Sequence, residues 1–182
     1  MQARGGDQIA ALSSLLGEKA AGTKARLPDR WIAGPSERLD IGGLAFELRH
    51  RGGGHTPGDM MVWLPQRSIA FTGDIVYIDR LLAVLPVSST KAWLAAFDEL
   101  EVLQPEKLVP GHGRVVGLDE ARRQTRDYLL ALRRHMKAAV EGNVDLGEAV
   151  RTFDGKGFVG LRMASDLMPG NANRVYLELE RE

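Results

Sequence analysis

The hydrophobic period changes once along this chain, and that change restricts the folds open to it. After the turn pair Gly42-Gly43, Leu44, Phe46 and Leu48 alternate, so residues 38–41 and 44–48 are predicted to form a β-hairpin. Residues 60–64 and 68–71 read as two more strands joined across Pro65-Gln66-Arg67. From Thr90 the period becomes helical, with Trp93, Phe97 and Leu100 on one face and Thr90 as the cap. A short strand at 107–109 is expected to stop at Pro110. A long helix over 118–141 follows, with Tyr128, Leu129, Leu132, Met136 and Val140 on its buried side. Strands first and helices after imply a mixed α/β layer fold, with helices laid against a sheet.

The ends of the chain read more simply. Asp7 is placed to cap a short amphipathic helix carrying Ile9, Leu12 and Leu16 before Gly17. Near the other end, Asp145 and Glu148 stand at capping-box spacing, 155–160 is a glycine-rich loop, and 173–181 forms a final segment. No internal repeat of solenoid period is present.

With 182 residues the chain is long enough to bury a core of its own. Lys and Arg number 24 against 24 Asp and Glu, so the net charge gives no support for a nucleic-acid partner or an acidic membrane surface. The basic face of the 118–141 helix is interrupted by Asp119, Glu120, Asp127 and Glu141, as an ordinary solvated face would be. Without cysteine there is no disulfide framework, thiolate nucleophile or Cys-ligated metal, and no choice of compartment. The one apolar stretch near the start, 9–16, is broken by Ser13 and Ser14, and no run is long enough to span a membrane.

Glycine is over-used at 21 residues, and the excess collects where the chemistry is. Three short loops each follow a predicted strand: Gly54-His55-Thr56-Pro57-Gly58-Asp59, then Thr72-Gly73-Asp74, then Pro110-Gly111-His112-Gly113. Each sets one imidazole or carboxylate at a strand end, beside glycines that remove Cβ bulk and prolines that fix φ. Two imidazoles and a carboxylate suit zinc, and also iron or manganese. Asp59 would hold the His55 loop or accept a hydrogen bond from His55 itself. His50 and His135 read as structural or solvated. Arg51–Gly54 is no phosphate cradle, since no Gly-Lys-Ser/Thr follows it.

In this order the three loops resemble the last three metal-binding motifs of the metallo-β-lactamase-fold hydrolases, over roughly residues 40–116. The resemblance implies a partial αββα sandwich in residues 1–117 with a helical C-terminal extension in 118–182. It implies that His55 binds a first zinc, that His112 binds a second, and that Asp74 bridges both and is the catalytic carboxylate. The reaction it implies is hydrolysis of an ester, thioester or amide carbonyl of a small-molecule substrate by metal-activated hydroxide. A glyoxalase-like thioesterase, a lactonase and a lactamase all fit. Tyr77, Arg80 and the 155–160 loop could each face the substrate, and none of the three is assigned to the site. The tail, ending in Asn171-Ala-Asn-Arg, resembles extended members associated with quinoprotein and sulfur-oxidation systems. Those are commonly periplasmic, whereas this chain on its own reads as cytoplasmic.

One departure weighs against a complete site. Members of that family carry an earlier His-x-His-x-Asp-His motif, and this chain has four histidines, none before His50. It is expected to bind zinc weakly and hydrolyse little by itself. It is also expected to expose an apolar face, and to form a homo-oligomer or pair with a complementary N-terminal half. The alternative is an inactive remnant or oligomerising domain that retains the three motifs.

Overall fold

The computed structural model describes residues 5–32 and 34–182, without the side chains of residues 7 and 8. Residues Met1–Ala33 and Gly34–Glu182 make two compact units. The first holds helix α1, Gly5–Leu16, followed by a 3₁₀ turn at Gly17–Ala20. Asp7, predicted as its cap, falls within α1, and its side chain lies outside the described residues.

The second unit is a five-stranded mixed sheet with helices, an α/β fold. Its strands run β1 Ser36–Ile41, β2 Leu44–Arg49, β3 Met61–Leu64, β4 Ile69–Tyr77 and β5 Lys107–His112, in that spatial order. Neighbours are antiparallel except β4 and β5, which are parallel and joined through helix α2, Thr90–Leu103. Gly42 and Gly43 both take positive φ, as the two-residue turn between β1 and β2 requires. The cap of α2 is Ser89, whose hydroxyl accepts from the Ala92 N–H at 3.2 Å, and not Thr90 as predicted. Thr90 is instead the first helical residue, fully buried.

The predicted 118–141 helix is α3 Leu118–Ala121, a π-helical stretch Arg122–Arg126, and α4 Asp127–Glu141, in unbroken succession. Helices α5, Leu146–Thr152, and α6, Ala164–Leu179, complete the unit, with Asp145 capping α5 through the Gly147 and Glu148 N–H groups. One contiguous core joins Met61, Trp63, Ala70 and Leu108 of the sheet to Trp93, Phe97 and Leu100 of α2. It continues into Tyr128, Leu132 and Met136 of α4 and Val175 of α6. Residues on both sides of position 117 therefore share one interior.

The strand registers settle which side chains share the opposite face. Leu39 pairs with Phe46, Ile41 with Leu44, Leu48 and Phe71 with Val62, Leu64 with Ile69, and Val109 with Phe71. These ten apolar residues lie on one side of the sheet, and none belongs to the core cluster. Ile41 and Phe71 are exposed.

Candidate functional site

Two strands run further than their sequence suggested, and the extra residues carry the site. Strand β4 does not end at Phe71 but continues through Gly73 and Asp74 to Tyr77, and β5 continues through Pro110 to His112. Their pairing shifts register on either side of Gly73, which has φ +51°. Such bulges re-aim a side chain beside a site, and here the side chain is Asp74. The Asp74 carboxylate lies between both imidazoles: His55 Nε2 is 3.6 Å from Oδ2 and His112 Nε2 is 3.6 Å from Oδ1.

The glycines around His112 make this approach possible. A Cβ at Gly111 would collide with the Asp74 carboxylate and stand 2.7 Å from the Gly73 carbonyl carbon. A Cβ at Gly113, which has φ +99°, would run into the backbone of Ile78. Gly53 does the same for the first loop, where a Cβ would sit 2.7 Å from Pro57 Cα.

His55 is oriented by backbone. Its Nδ1 lies 2.9 Å from the Ala83 carbonyl, which can only accept, so Nδ1 carries the proton. In the neutral ring the bare Nε2 lone pair then faces the Asp74 carboxylate. Two acceptors face one another across a gap too long for a hydrogen bond. With zinc–donor bonds of about 2.1 Å, two ligands on one tetrahedral ion stand about 3.4 Å apart. The donor types and both spacings therefore fit a cation on either side of Asp74. No three His, Asp or Glu side chains among the described residues are gathered round a single ion position. The three predicted ligands thus converge on Asp74 as two pairs, and not on one shared point.

Tyr77 lies beneath all three. Its ring stacks on His112 with centroids 4.8 Å apart and approaches that of His55 at 5.8 Å, while Trp93 meets the His55 edge at 5.5 Å. Burial, and then the Asp74 carboxylate beside it, hold the Tyr77 phenol well above the usual range, so it stays protonated. Its backbone N–H and C=O both bond the hydroxyl of buried Thr125, at 3.0 and 2.8 Å, from the π-helical stretch. Tyr77 is 2% exposed and floors the site, so it presents no open surface to substrate.

Asp59 takes the loop-holding role of the two expected for it. Its carboxylate accepts from the Thr56 N–H at 2.8 Å and the Thr56 hydroxyl at 2.5 Å, and makes no hydrogen bond with His55. His50 Nδ1 lies 2.8 Å from the Asp59 carbonyl and His135 Nε2 is 2.9 Å from the Ala149 carbonyl, both structural contacts.

Asn171 of α6 was not singled out for the site. Its side chain is 2% exposed, donates to the Leu82 carbonyl at 2.8 Å and the Tyr128 hydroxyl at 3.0 Å, and accepts from the Val84 N–H at 2.8 Å. Those groups flank Ala83, the residue whose carbonyl fixes His55. Asn171 stands four residues before Val175 and eight before Leu179, a polar residue on the apolar face of the helix, and that spacing is the signal that could have revealed it.

A profile of the metallo-beta-lactamase superfamily matches residues 10–112. The hydroxyacylglutathione hydrolase GloC of Haemophilus influenzae is 42% identical over 53 residues, 29% of this chain and 24% of that protein. The type 2 metallo-beta-lactamase of Bacteroides fragilis is 27% identical over 85 residues, 44% of this chain and 34% of that one. The chain thus matches about a quarter to a third of the length of these curated relatives. A sec-alkylsulfatase structure from Pseudomonas sp. superposes with a TM-score of 0.68 at 24% identity, over 82% of this chain and 26% of the other, a likeness of fold.

Proposed function

This chain belongs to the metallo-beta-lactamase superfamily, a family of hydrolases, and on that premise we propose that it supplies one wall of a two-zinc hydrolytic site. The observation that carries the reading is the pair of imidazole nitrogens 3.6 Å from the two different oxygens of one carboxylate. His55 with Asp74 would hold one ion and Asp74 with His112 the other. Zinc there would supply Lewis acidity toward a carbonyl oxygen and would acidify water for attack on an ester, thioester or amide. The chain's own part is positional. The Ala83 carbonyl presents His55 Nε2 to the site, Tyr77 closes the floor against water, and the glycines beside His112 let Asp74 reach it.

A catalytic zinc ordinarily has three protein ligands, and this arrangement offers two per ion with one shared. The remaining donors would come from a complementary polypeptide whose sheet covers the apolar face described above. The test is zinc uptake by the purified chain, read by chelator competition and elemental analysis, with Asp74→Ala as control. Weak uptake by the chain and none by D74A is the expected pattern. Equal uptake by both proteins would remove the site, and tight uptake of two equivalents by the chain alone would remove the need for outside ligands.

A further inference from the structure

Beside His112 the surface opens into a cavity of about 540 Å³, whose other lining residues include Arg80, Arg114, Arg162, Asp79 and Met163. The three guanidinium groups are not equivalent. Arg114 is neutralised within the fold by Glu120 and by Asp79, the latter at 3.4 Å. Arg80 and Arg162 have no carboxylate partner among the described residues. Arg80 lies over the Tyr77 ring with its guanidinium carbon 5.8 Å from the centroid, and its Nε is buried without a hydrogen-bond partner. A buried unpaired donor on a charged group is costly and rare.

The backbone forces these two cations together. Arg80 and Arg162 form an isolated parallel bridge, with the Leu81 N–H donating to the Arg162 carbonyl at 2.9 Å and the Arg162 N–H to the Asp79 carbonyl at 3.2 Å. The residue before Arg80 and the residue after Arg162 are both held left-handed, Asp79 at φ +62° and Met163 at φ +60°. The Asp79 N–H is pinned by the Gln124 side-chain oxygen at 2.7 Å. Two strained residues thus bracket two like charges that face one cavity, a combination that costs stability and is characteristic of binding sites. The charge left over in the cavity is positive, and it adjoins a candidate metal ligand.

We propose that Arg80 and Arg162 form an oxyanion-binding subsite, which takes a carboxylate, sulfate or phosphate group of the substrate beside His112. The assignment rests on the reading of His112 as part of the hydrolytic site, but anion binding itself needs no metal. Arg80 fixes the anion from its position on Tyr77, and Arg162 closes on it from the solvent side.

The test is saturable anion binding to the metal-free full chain at constant ionic strength, by calorimetry with sulfate, phosphate and acetate in separate titrations. Arg80→Gln and Arg162→Gln are each expected to weaken binding at least tenfold, with Arg123→Gln, an exposed arginine elsewhere, leaving it unchanged. Arg80→Lys keeps the charge and is expected to retain part of the affinity, which separates lost recognition from lost folding. Sulfate and phosphate binding together mark a dianion site, whereas acetate binding equally well marks a carboxylate site. No saturable binding, or equal binding by the R80Q and R162Q proteins, overturns the proposal. Zinc uptake measured in parallel separates the two readings. An Asp74→Ala protein that still binds sulfate but no zinc supports both. Wild-type protein that takes up no zinc yet binds sulfate through Arg80 leaves the subsite standing and the metal reading fallen.

Discussion

Replacing Asn171 with leucine should damage both the fold and the orientation of His55, by amounts the structure allows to be separated. The side chain makes three buried hydrogen bonds, to Leu82 O, Val84 N and Tyr128 Oη. Leucine is of similar size, so little cavity cost is added, but three partners are left without it. At about 1 kcal/mol each, the low end for a buried orphaned group, the loss is about 3 kcal/mol. Urea unfolding at unchanged m-value measures it. The second effect is local: with Leu82 and Val84 released, the Ala83 carbonyl no longer holds its direction, and His55 loses the bond that fixes its tautomer. Loss of such an orienting partner typically costs about 10- to 100-fold in metal affinity. The ¹⁵N imidazole spectrum of His55 should show a smaller Nδ1–H fraction, and zinc competition a weaker site. Leu132→Ala in the core, expected to cost about 2–5 kcal/mol, is the comparison, because it removes packing from α4 without removing a hydrogen bond to residue 82 or 84. An N171L protein that unfolds within 1 kcal/mol of the parent would refute the hydrogen-bond accounting. Equal changes in the His55 spectrum for N171L and L132A would refute the route through Ala83.

Burial alone would raise the Glu99 carboxyl, but hydrogen bonds from Arg51 and Arg49 outweigh it and hold it below the ordinary glutamate range. Its contribution is therefore complete above the unfolded pKa of about 4.3 and fades as pH falls through the lower folded value. Glu99→Gln should cost about 1–2 kcal/mol in urea unfolding at pH 7, and the gap should close in acid. A gap that does not change with pH rules out the charge as its source. Gly111→Ala drives a methyl group against Asp74 and Gly73; it should destabilise by more than about 2 kcal/mol and abolish whatever zinc uptake the chain has, and a neutral result in thermal unfolding would contradict the close approach. On the open sheet face, Phe71→Lys should lower hydrophobic-dye binding and self-association in light scattering while leaving the circular dichroism intact, and unchanged association would place the contact elsewhere.

The hairpin was legible because alternation and Gly42-Gly43 are local signals, and the three candidate loops stood out because each couples a His or Asp side chain to glycine. The two strand ends were not. Gly73 and Pro110 read as breakers in sequence, yet the bulge at Gly73 and the parallel β5 edge absorb both, so the strands run on to Tyr77 and His112. Thr90 looked like the cap of α2 because it is the last threonine before the apolar period, but Ser89 holds the cap position. Glu178 occupies Thr90 instead: its carboxylate accepts from the Thr90 hydroxyl at 2.6 Å and N–H at 3.2 Å. Such pairings span nearly ninety residues and leave no periodic trace in the chain. Asn171, the pairing of Arg80 with Arg162 and the place of Tyr77 beneath the two imidazoles were hidden for that reason, since each acquires its meaning from a residue distant in sequence.

These long-range contacts also tie the C-terminal helices to the candidate site. Helix α6 touches the His55 region along two separate lines. Asn171 holds residues 82 and 84 on either side of the carbonyl that orients the imidazole. Glu178 lies at the N-terminus of α2, where a carboxylate meets unpaired N–H groups and the favourable end of the helix dipole. The residues just before that terminus grip the loop itself: the Ser89 N–H donates to the Gly54 carbonyl at 3.0 Å and the Ser88 hydroxyl to the His55 carbonyl at 2.6 Å. Arg133 of α4 closes the arrangement by pairing with Glu178 at 3.5 Å and with Glu182 at 2.9 Å. Removing α6 would therefore free His55 at its ring and at its backbone together, even though no residue of α6 is a candidate ligand. Residues 118–182 thus support the candidate site and complete the core beneath the sheet, so a chain cut after residue 117 should lose the orientation of His55 together with cooperative unfolding of the sheet, as read by urea denaturation.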